Sequence, residues 1–462
     1  MLDPVQQGIA AEFRGASLGD PRRSDRLVRL AESMSHKPDA SFPKALVTAE
    51  LEAAYRFFNN VGVKPAGILE PHVCRTLDRM SAEAVTLVVH DSSIISFNSE
   101  GYREGLTLSR GEKQQFLLHC SLAVAGDGSR KPHGVLAASY HVPVRTADKL
   151  LQDRWADHVR DVHALGLAAA SVVHVMDREA DDYEVLDLLS GLNGRFVIRV
   201  QHNRKLANDG RLRETLGRAQ ARAERLVPLS RRSAASSGPK QRSIHPAREG
   251  RTARLAISSA SLVVPRPRTA VHALSEALAL NVVRVWEPDP PEGETPVEWL
   301  LYTSEPIETI EDILRVVDWY RARWTIEEYF KALKSGCALE KRQLGDLHAL
   351  TNALALFIPI AWQLLLLKSQ ARERPAAPAC DVLTADELQV LRAAARKPLP
   401  DQPTIQDAVL AIAALGGHLK HNGAPGWQTL ASGYEKLRLL LAGWNLRHNA
   451  EAGTLAPARD QS

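Results

Sequence analysis

Apolar positions along this chain change their period repeatedly, and each change marks an element. "VTLVVHD" (85–91) is a continuous run rich in β-branched residues, the pattern of a central strand covered on both faces, and it ends on Asp91. "FLLHCSLAVAGDGSRKPHGVLAASYHV" (116–142) reads as two strands joined by a Gly-containing turn. Helical period follows in "ADKLLQDRWADHVRDVHALG" (147–166), then a second buried strand, "ASVVHVMD" (170–177), which also ends on an aspartate, Asp177. "DYEVLDLLSGL" (182–192) is a short helix and "RFVIRVQ" (195–201) a further strand. Between about 206 and 306 the texture shifts to short alternating strands, among them "TARLAISSASLVV" and "EWLLYTSEP", expected to form an inserted β subdomain. Residues 1–70 have helical pattern, as do 404–445 after a Pro-rich break at 374–403, and the last dozen residues are expected to be disordered. "ALTNALALFIPIAWQLLLL" (349–367) approaches membrane length but carries Thr351, Asn352, Pro359 and Gln363, so it reads as a buried core helix.

The stretch "WYRARWTIEEYFKALKSG" (319–336) mixes aromatics, cations and carboxylates with almost no turn residues. On one unbroken helix at ~100° per residue, with Tyr320 at zero, Arg323 falls near ~300°, Glu327 near ~340° and Lys334 near ~320°. All four share an arc of about 60°, while Ile326, Phe330, Ala332 and Leu333 lie mostly off it. A phenol, two cations and a carboxylate in one stripe suit a metal-bound, phosphate-rich ligand. The plainer alternative is a solvated face on which Glu327 pairs with Arg323 at i,i+4.

Composition changes this picture only locally. The chain has 462 residues, enough for about three domains, with 45% hydrophobic and 24% charged residues, as in a protein with a full core. A net charge of +4 permits nucleic-acid binding without arguing for it. Seven Arg or Lys against one acid, Glu249, crowd residues 231–254. The segment 230–254 reads as a loop that either contacts phosphate or is a solvated linker. Cys74, Cys120, Cys337 and Cys380 form no CxxC pair, so neither a structural zinc nor a disulfide framework is expected, and a reducing cytosol fits. "MLDPVQQGIAAEFRG" lacks the apolar run of a signal peptide. A cytoplasmic, nucleoid-associated location is expected.

Three strands, helix, strand, helix, strand and a much later helix is an order that resembles the ribonuclease H-like α/β fold of nucleases and integrases. In that fold the first and fourth strands are neighbours, which implies that Asp91 and Asp177 come together and that the late helix lays Glu327 beside them. Alone, Asp91 reads as a turn residue after a strand, and Asp177 as the cap of "READDYEVL". Together the three carboxylates suit a pair of Mg²⁺ ions, hard cations that take oxygen ligands and support in-line phosphoryl displacement.

"Y-x2-R-x3-E-x6-K" fits Tyr320, Arg323, Glu327 and Lys334 without a gap. It resembles the signature of the bacterial DDE cut-and-paste transposases of insertion-sequence family four. "HDSSIISF" resembles that family's first-Asp motif, with Ser92 and Ser93 where Thr is common, and "MDREAD" its second. "RFVIRVQHNRK" resembles the following strand, with Arg199 as a DNA contact and Gln201 where a Lys is expected. "GDPRRSDRLVRLA" and "AYRF" resemble the end-binding domain and imply DNA contacts by Arg26 and Arg56. "GETPVEWLLYTSEP" resembles the segment whose Trp stacks on a flipped base, here Trp299. In "EWLLYTSE" alone, that Trp alternates with Leu301 and Thr303 and reads as core. "AIAALGGHLK" and "GYEKLRLLLAGW" resemble the C-terminal helices that pair two subunits.

The resemblance implies a helical end-binding domain at 1–70, a ribonuclease H-like catalytic domain at 71–370 and a helical dimerisation domain at 371–462. It implies an enzyme that binds terminal inverted repeats as a homodimer, nicks one strand, forms and opens a hairpin, and joins the freed ends to target DNA. Asp91, Asp177 and Glu327 would hold two Mg²⁺ ions, with Mn²⁺ able to substitute. Tyr320, Arg323 and Lys334 would hold phosphates near the cleaved bond. Two alternatives stay open: a nuclease on the same scaffold without strand transfer, and a silenced or domesticated protein that only binds DNA ends.

Overall fold

The computed structural model describes residues 8–97, 101–108, 113–142, 148–229, 249–419 and 425–451. In chain order the N-terminal helices are α1 (Pro21–His36), α2 (Thr48–Phe58) and α3 (Pro65–Met80). Then come β1 (Thr86–Phe97), β2 (Thr107–Leu108), β3 (Gln114–Ala125), β4 (Pro132–His141), α4 (Asp148–Ala164), β5 (Val172–Met176), α5 (Tyr183–Gly191) and β6 (Arg195–Arg199). The insertion supplies α6 (Leu212–Gly217), β7 (Ala223–Leu229), β8 (Arg251–Pro265), β9 (Ala277–Trp286) and β10 (Glu298–Thr303). Helices complete the chain: α7 (Ile310–Ala322), α8 (Trp324–Lys331), α9 (Leu347–Glu373), α10 (Ala385–Ala394), α11 (Ile405–Leu415) and α12 (Trp427–Glu451).

The chain divides into two compact units, and β1 runs through both. One unit holds residues 85–90 and 152–323. In it β1 pairs in parallel with β5, and β5 in parallel with β6. The insertion then continues the same sheet antiparallel, in the order β6, β10, β9, β8, β7. The expected insertion is therefore β-rich, but it extends the sheet rather than standing apart. Its core joins Trp155, Tyr183, Phe196, Leu216 and Tyr302. Arg251 and Arg254 belong to β8, not to a loop, and pair with Glu287 and with Glu224 and Asp289. The rest of the basic stretch lies outside the described residues.

The other unit holds the N-terminal helices, β2–β4 and everything from residue 324 onward. Here β3 lies next to β1 and pairs antiparallel with β4. The succession β4, β3, β1, β5, β6 is that of a ribonuclease H-like core. Helix α9 is apolar all round. It passes the length and composition test for a membrane span, yet its apolar window is wholly buried in the protein, as a core helix requires. Its polar residues are used inside: Asn352 Nδ2 donates to the carbonyls of Phe58 (3.0 Å) and Val63 (3.2 Å) that end and follow α2, and Trp362 Nε1 donates to Pro132 O (3.0 Å). Gly134 allows α3 to lie against β4, because a Cβ there would come within 1.9 Å of Thr76 Oγ1. The Pro-rich break contains a helix after all: in α10, Thr384 and Glu387 form a capping box that starts it.

Candidate active site

In the β1–β5 pair, Thr86 stands opposite Val172 and Val89 opposite Val175. Asp91 lies two residues beyond Val89, and Asp177 two beyond Val175. Their surroundings differ. β5 stops at Met176, and Asp177 then caps a 3₁₀ turn, Oδ1 accepting from Glu179 N at 2.8 Å. The expected capping role is therefore real and leaves Oδ2 for other work. Asp177 is half-exposed and, among the described residues, enters no ion pair. Asp91 does not end its strand as expected, because β1 runs on to Phe97. Residues 86–90 are all buried, 91–93 half-buried, and burial alternates from Ile94 to Phe97, so the strand changes from doubly covered to half-covered beyond His90. The apolar run stopped at 91 for that reason, not because the strand did. Asp91 Oδ1 accepts from Ser92 N (2.7 Å), and Ser92 Oγ is 2.8 Å from His119 Nδ1.

A second cluster lies wholly within the unit that holds Asp177. Tyr320, at the end of α7, is 6% exposed, and its ring centroid is 5.9 Å from that of Trp299 on β10. Burial raises the Tyr320 pKa; the charges of Arg199 and Arg323 and a hydrogen bond from Arg199 act against this, while the Asp177 charge adds to it. The Arg323 guanidinium lies 6.0 Å from the Tyr320 ring centroid. The structure thus brings together Asp177, Arg199, Trp299, Tyr320 and Arg323. The β6–β10 register explains part of it: Arg199 is opposite Leu301, so it shares a sheet face with Trp299 two residues away.

The expected single helix through Tyr320, Arg323, Glu327 and Lys334 is broken. α7 ends at Ala322, Arg323 caps it, α8 starts at Trp324, and residues 332–336 form a π turn. A projection at ~100° per residue does not survive two such interruptions. Glu327, half-exposed, sits in the first turn of α8. Tyr329 follows on the same helix, its phenol pKa raised first by burial and then by neighbouring Cys120 and Cys337. Cys120 on β3 is itself raised by burial and by the charge of Asp91. α8 therefore runs against the strand pair that carries Asp91. Lys334 Nζ donates to Ile94 O on β1 at 2.5 Å and lies 3.8 Å from Glu340, and burial lowers its pKa.

Arg26 on α1 is half-buried and Arg56 on α2 exposed, both in the N-terminal helices. Sequence reasoning missed Asp181, the second aspartate of "MDREAD". It is 3% exposed and accepts from Gln201 N (2.6 Å), His202 N (2.7 Å) and Arg204 (2.7 Å). This ties the segment after β6 to the turn after β5, and it fixes the backbone at Gln201. Its signal was a carboxylate four residues from Asp177 among the charged neighbours Arg178, Glu179 and Asp182, which read together as a helix start.

Two protein-family models match this chain. One, described as transposase DNA-binding, covers residues 6–63; the other, described as transposase DDE domain, covers residues 86–360, more than half the chain. This chain belongs to the DDE transposase family. Among solved structures it is similar to a piggyBac transposase synaptic complex with hairpin DNA, at 10% identity and a TM-score of 0.36, over 99% of this chain and 76% of that one. The transposase therefore has DNA as its partner and DNA cleavage as its chemistry, and domains of this family generally use divalent metal ions. The candidate donors fit such ions. Asp91, Asp177 and Glu327 offer only hard oxygen atoms and all three are half-exposed.

Proposed function

We propose that this chain catalyses cut-and-paste DNA transposition in the manner of insertion-sequence family four, which is typified by the transposase of transposon Tn-five. The observation that carries this is the parallel register of Val89 with Val175, each followed two residues later by an aspartate. It is joined by the gapless Tyr320, Arg323, Glu327 and Lys334 signature. Asp91, Asp177 and Glu327 would hold two Mg²⁺ ions, for which Mn²⁺ would substitute. When bound, such ions activate an attacking oxygen and stabilise the leaving one in an in-line displacement.

The chain's own residues do the rest. Arg323 holds phosphate oxygens bidentately and Lys334 supplies a point charge. To do so, Lys334 gives up its bond to Ile94 O, so DNA competes with β1 for this ammonium. Arg199 orients the Tyr320 phenol. Trp299, half-buried against Tyr320, keeps one part of its ring open for a displaced base. Residues 1–70, with Arg26 and Arg56, recognise the element's ends, 71–370 cut and join, and 371–462 pair two subunits. The reaction runs by nicking, hairpin formation, hairpin opening and strand transfer, in a bacterial cytoplasm.

The test uses the purified protein and a labelled duplex carrying the inverted repeat that flanks its coding DNA. In Mg²⁺ it should yield nicked, hairpin and then target-joined products, and chelation should stop all three. Nicking without joining would instead identify a nuclease, and specific binding without nicking a silenced end-binding protein.

A further inference from the structure

We propose that Glu340 is a positioning residue for DNA cleavage: it ties the strand that carries Asp91 to the turn that follows α8, and it aims Lys334. All of these groups lie in one compact unit. β1 runs past Asp91 to Phe97. Along that stretch Ile94 and Ser96 stand two apart, so the Ile94 carbonyl and the Ser96 amide point to the same edge of the strand. Two side chains from beyond α8 meet them. Lys334 Nζ donates to Ile94 O at 2.5 Å, and Ser96 N donates to Glu340 Oε1 at 3.0 Å. One backbone acceptor and one backbone donor are thus satisfied as a neighbouring strand would satisfy them. The same Oε1 lies 3.8 Å from Lys334 Nζ, too far for a hydrogen bond but close enough for the charges to act.

Glu340 has a rigid base. It sits in the 3₁₀ turn Leu339–Lys341, entered through Ala338, which adopts the left-handed conformation (φ 47°, ψ 39°) that is costly for a residue with a Cβ. Arg342, 3% exposed, closes the turn. It donates to Cys337 O, and to Pro38 O and Ala40 O in the segment after α1, and its guanidinium lies 4.2 Å from the Phe357 ring centroid on α9. A carboxylate anchored in this way holds Ser96 N while Lys334 is exchanged. This role rests on the proposed function, in which Lys334 leaves Ile94 O for a phosphate. Glu340 then keeps β1, and Asp91 with it, from losing both edge bonds at once. It also favours the ammonium that a phosphate needs: burial lowers the Lys334 pKa, and the Glu340 charge acts against this.

The experiment reads single-turnover nicking of a labelled terminal-repeat duplex in Mg²⁺ across pH, with end binding and Tm measured alongside. Glu340→Ala removes both contacts and should slow nicking by about tenfold or more. Glu340→Gln keeps an acceptor for Ser96 N but not the charge. It should retain more nicking near neutral pH, and its alkaline decline should move to lower pH, because the Lys334 ammonium is then lost sooner as pH rises. Neither variant should weaken end binding, since a carboxylate beside a phosphate-holding lysine adds no affinity. In a Lys334→Arg background the cation does not titrate, so Glu340→Gln should leave the alkaline side where it is. Glu340→Ala nicking within about twofold of the unaltered protein would overturn the proposal, as would an alkaline side that Glu340→Gln does not move. So would Tm, binding and nicking that fell together in either background, because Glu340 would then only hold the fold. Lys334→Ala separates this role from the function beneath it. If that variant nicks at the unaltered rate, Lys334 holds no phosphate, and both assignments fall; if it is slow while the Glu340 variants are not, only the role of Glu340 falls. An unaltered protein that did not nick would overturn the proposed function and the role of Glu340 with it.

Discussion

Val89 on β1 stands opposite Val175 on β5, and in both segments an aspartate follows two residues later. Residues two apart along a continuing strand share a sheet face; β1 continues through Asp91, whereas β5 ends at Met176 and Asp177 caps the turn that follows. Asp91→Asn, Asp177→Asn and Glu327→Gln keep shape while removing charge. Each should lower nicking by roughly 10³-fold or more, equivalent to about 4 kcal/mol of transition-state stabilisation, and spare end binding. A gel-based nicking assay with binding measured alongside checks this; one variant nicking at near the unaltered rate would remove that residue from the set.

Much of this fold was legible from period alone. The doubly covered strands at 85–91 and 170–177 announced themselves because both faces are buried, and the long apolar helix because every face is. What failed was local. β1 continued past Asp91 because its outer half is covered on one side only, so its apolar run ended before its hydrogen bonds did. The Tyr320 to Lys334 stretch reads as one helix because neither Arg323 nor Ala332 is a breaker residue; the interruption at 323 and the π turn come from tertiary context. Asp181 was invisible because its three partners lie 20 to 23 residues away.

That hidden carboxylate carries the second prediction. Asp181 satisfies two backbone amides and the 11%-exposed Arg204. Asp181→Ala leaves the two amides without this acceptor and takes the carboxylate from Arg204, which keeps the Asp181 carbonyl (2.9 Å), and removing one member of such a buried pair costs about 3–5 kcal/mol. Chemical denaturation should show a loss of that order, and a loss under about 1 kcal/mol would mean water replaces the carboxylate easily. Arg204→Ala should be milder, since the amides keep their acceptor.

Acid sensitivity gives the third. Glu12 is 3% exposed; burial alone would raise its pKa, but the hydrogen bond from His72 and the charge and hydrogen bond of Arg79 bring it well below the usual carboxylate range. Val135 N donates to His72 Nε2 at 3.0 Å, so the Nδ1 proton faces Glu12 (2.6 Å) and burial keeps the ring neutral, its pKa lowered. Both groups bind fewer protons folded than unfolded. Stability is therefore fully present above the ordinary His range and falls as pH drops through the His and then the carboxylate ranges. Glu12→Gln should lower Tm at pH 7 and flatten its decline between pH 5 and 3, measured by calorimetry; an equally steep decline would place the acid sensitivity elsewhere.

The last prediction concerns Trp299. Its strand neighbours Leu300 and Leu301 are buried, but Trp299 is only half-buried and leans on Tyr320 with ring planes at 59°. Hairpin formation bends DNA at the element boundary and is eased when a base leaves the stack, at a cost of a few kcal/mol. An aromatic platform returns about 1–3 kcal/mol of that per base. The first nick meets an unbent strand and does not need it. Trp299→Ala should therefore keep end binding and nicking while slowing hairpin formation by roughly 10–100-fold, the rate equivalent of the stacking energy. Tyr320 loses its ring neighbour in this variant but keeps Arg199. Time courses on labelled end DNA resolve nicked from hairpin product. If both steps slowed together and Tm dropped by several degrees, Trp299 would be a packing residue and the displaced base would have to find its platform elsewhere.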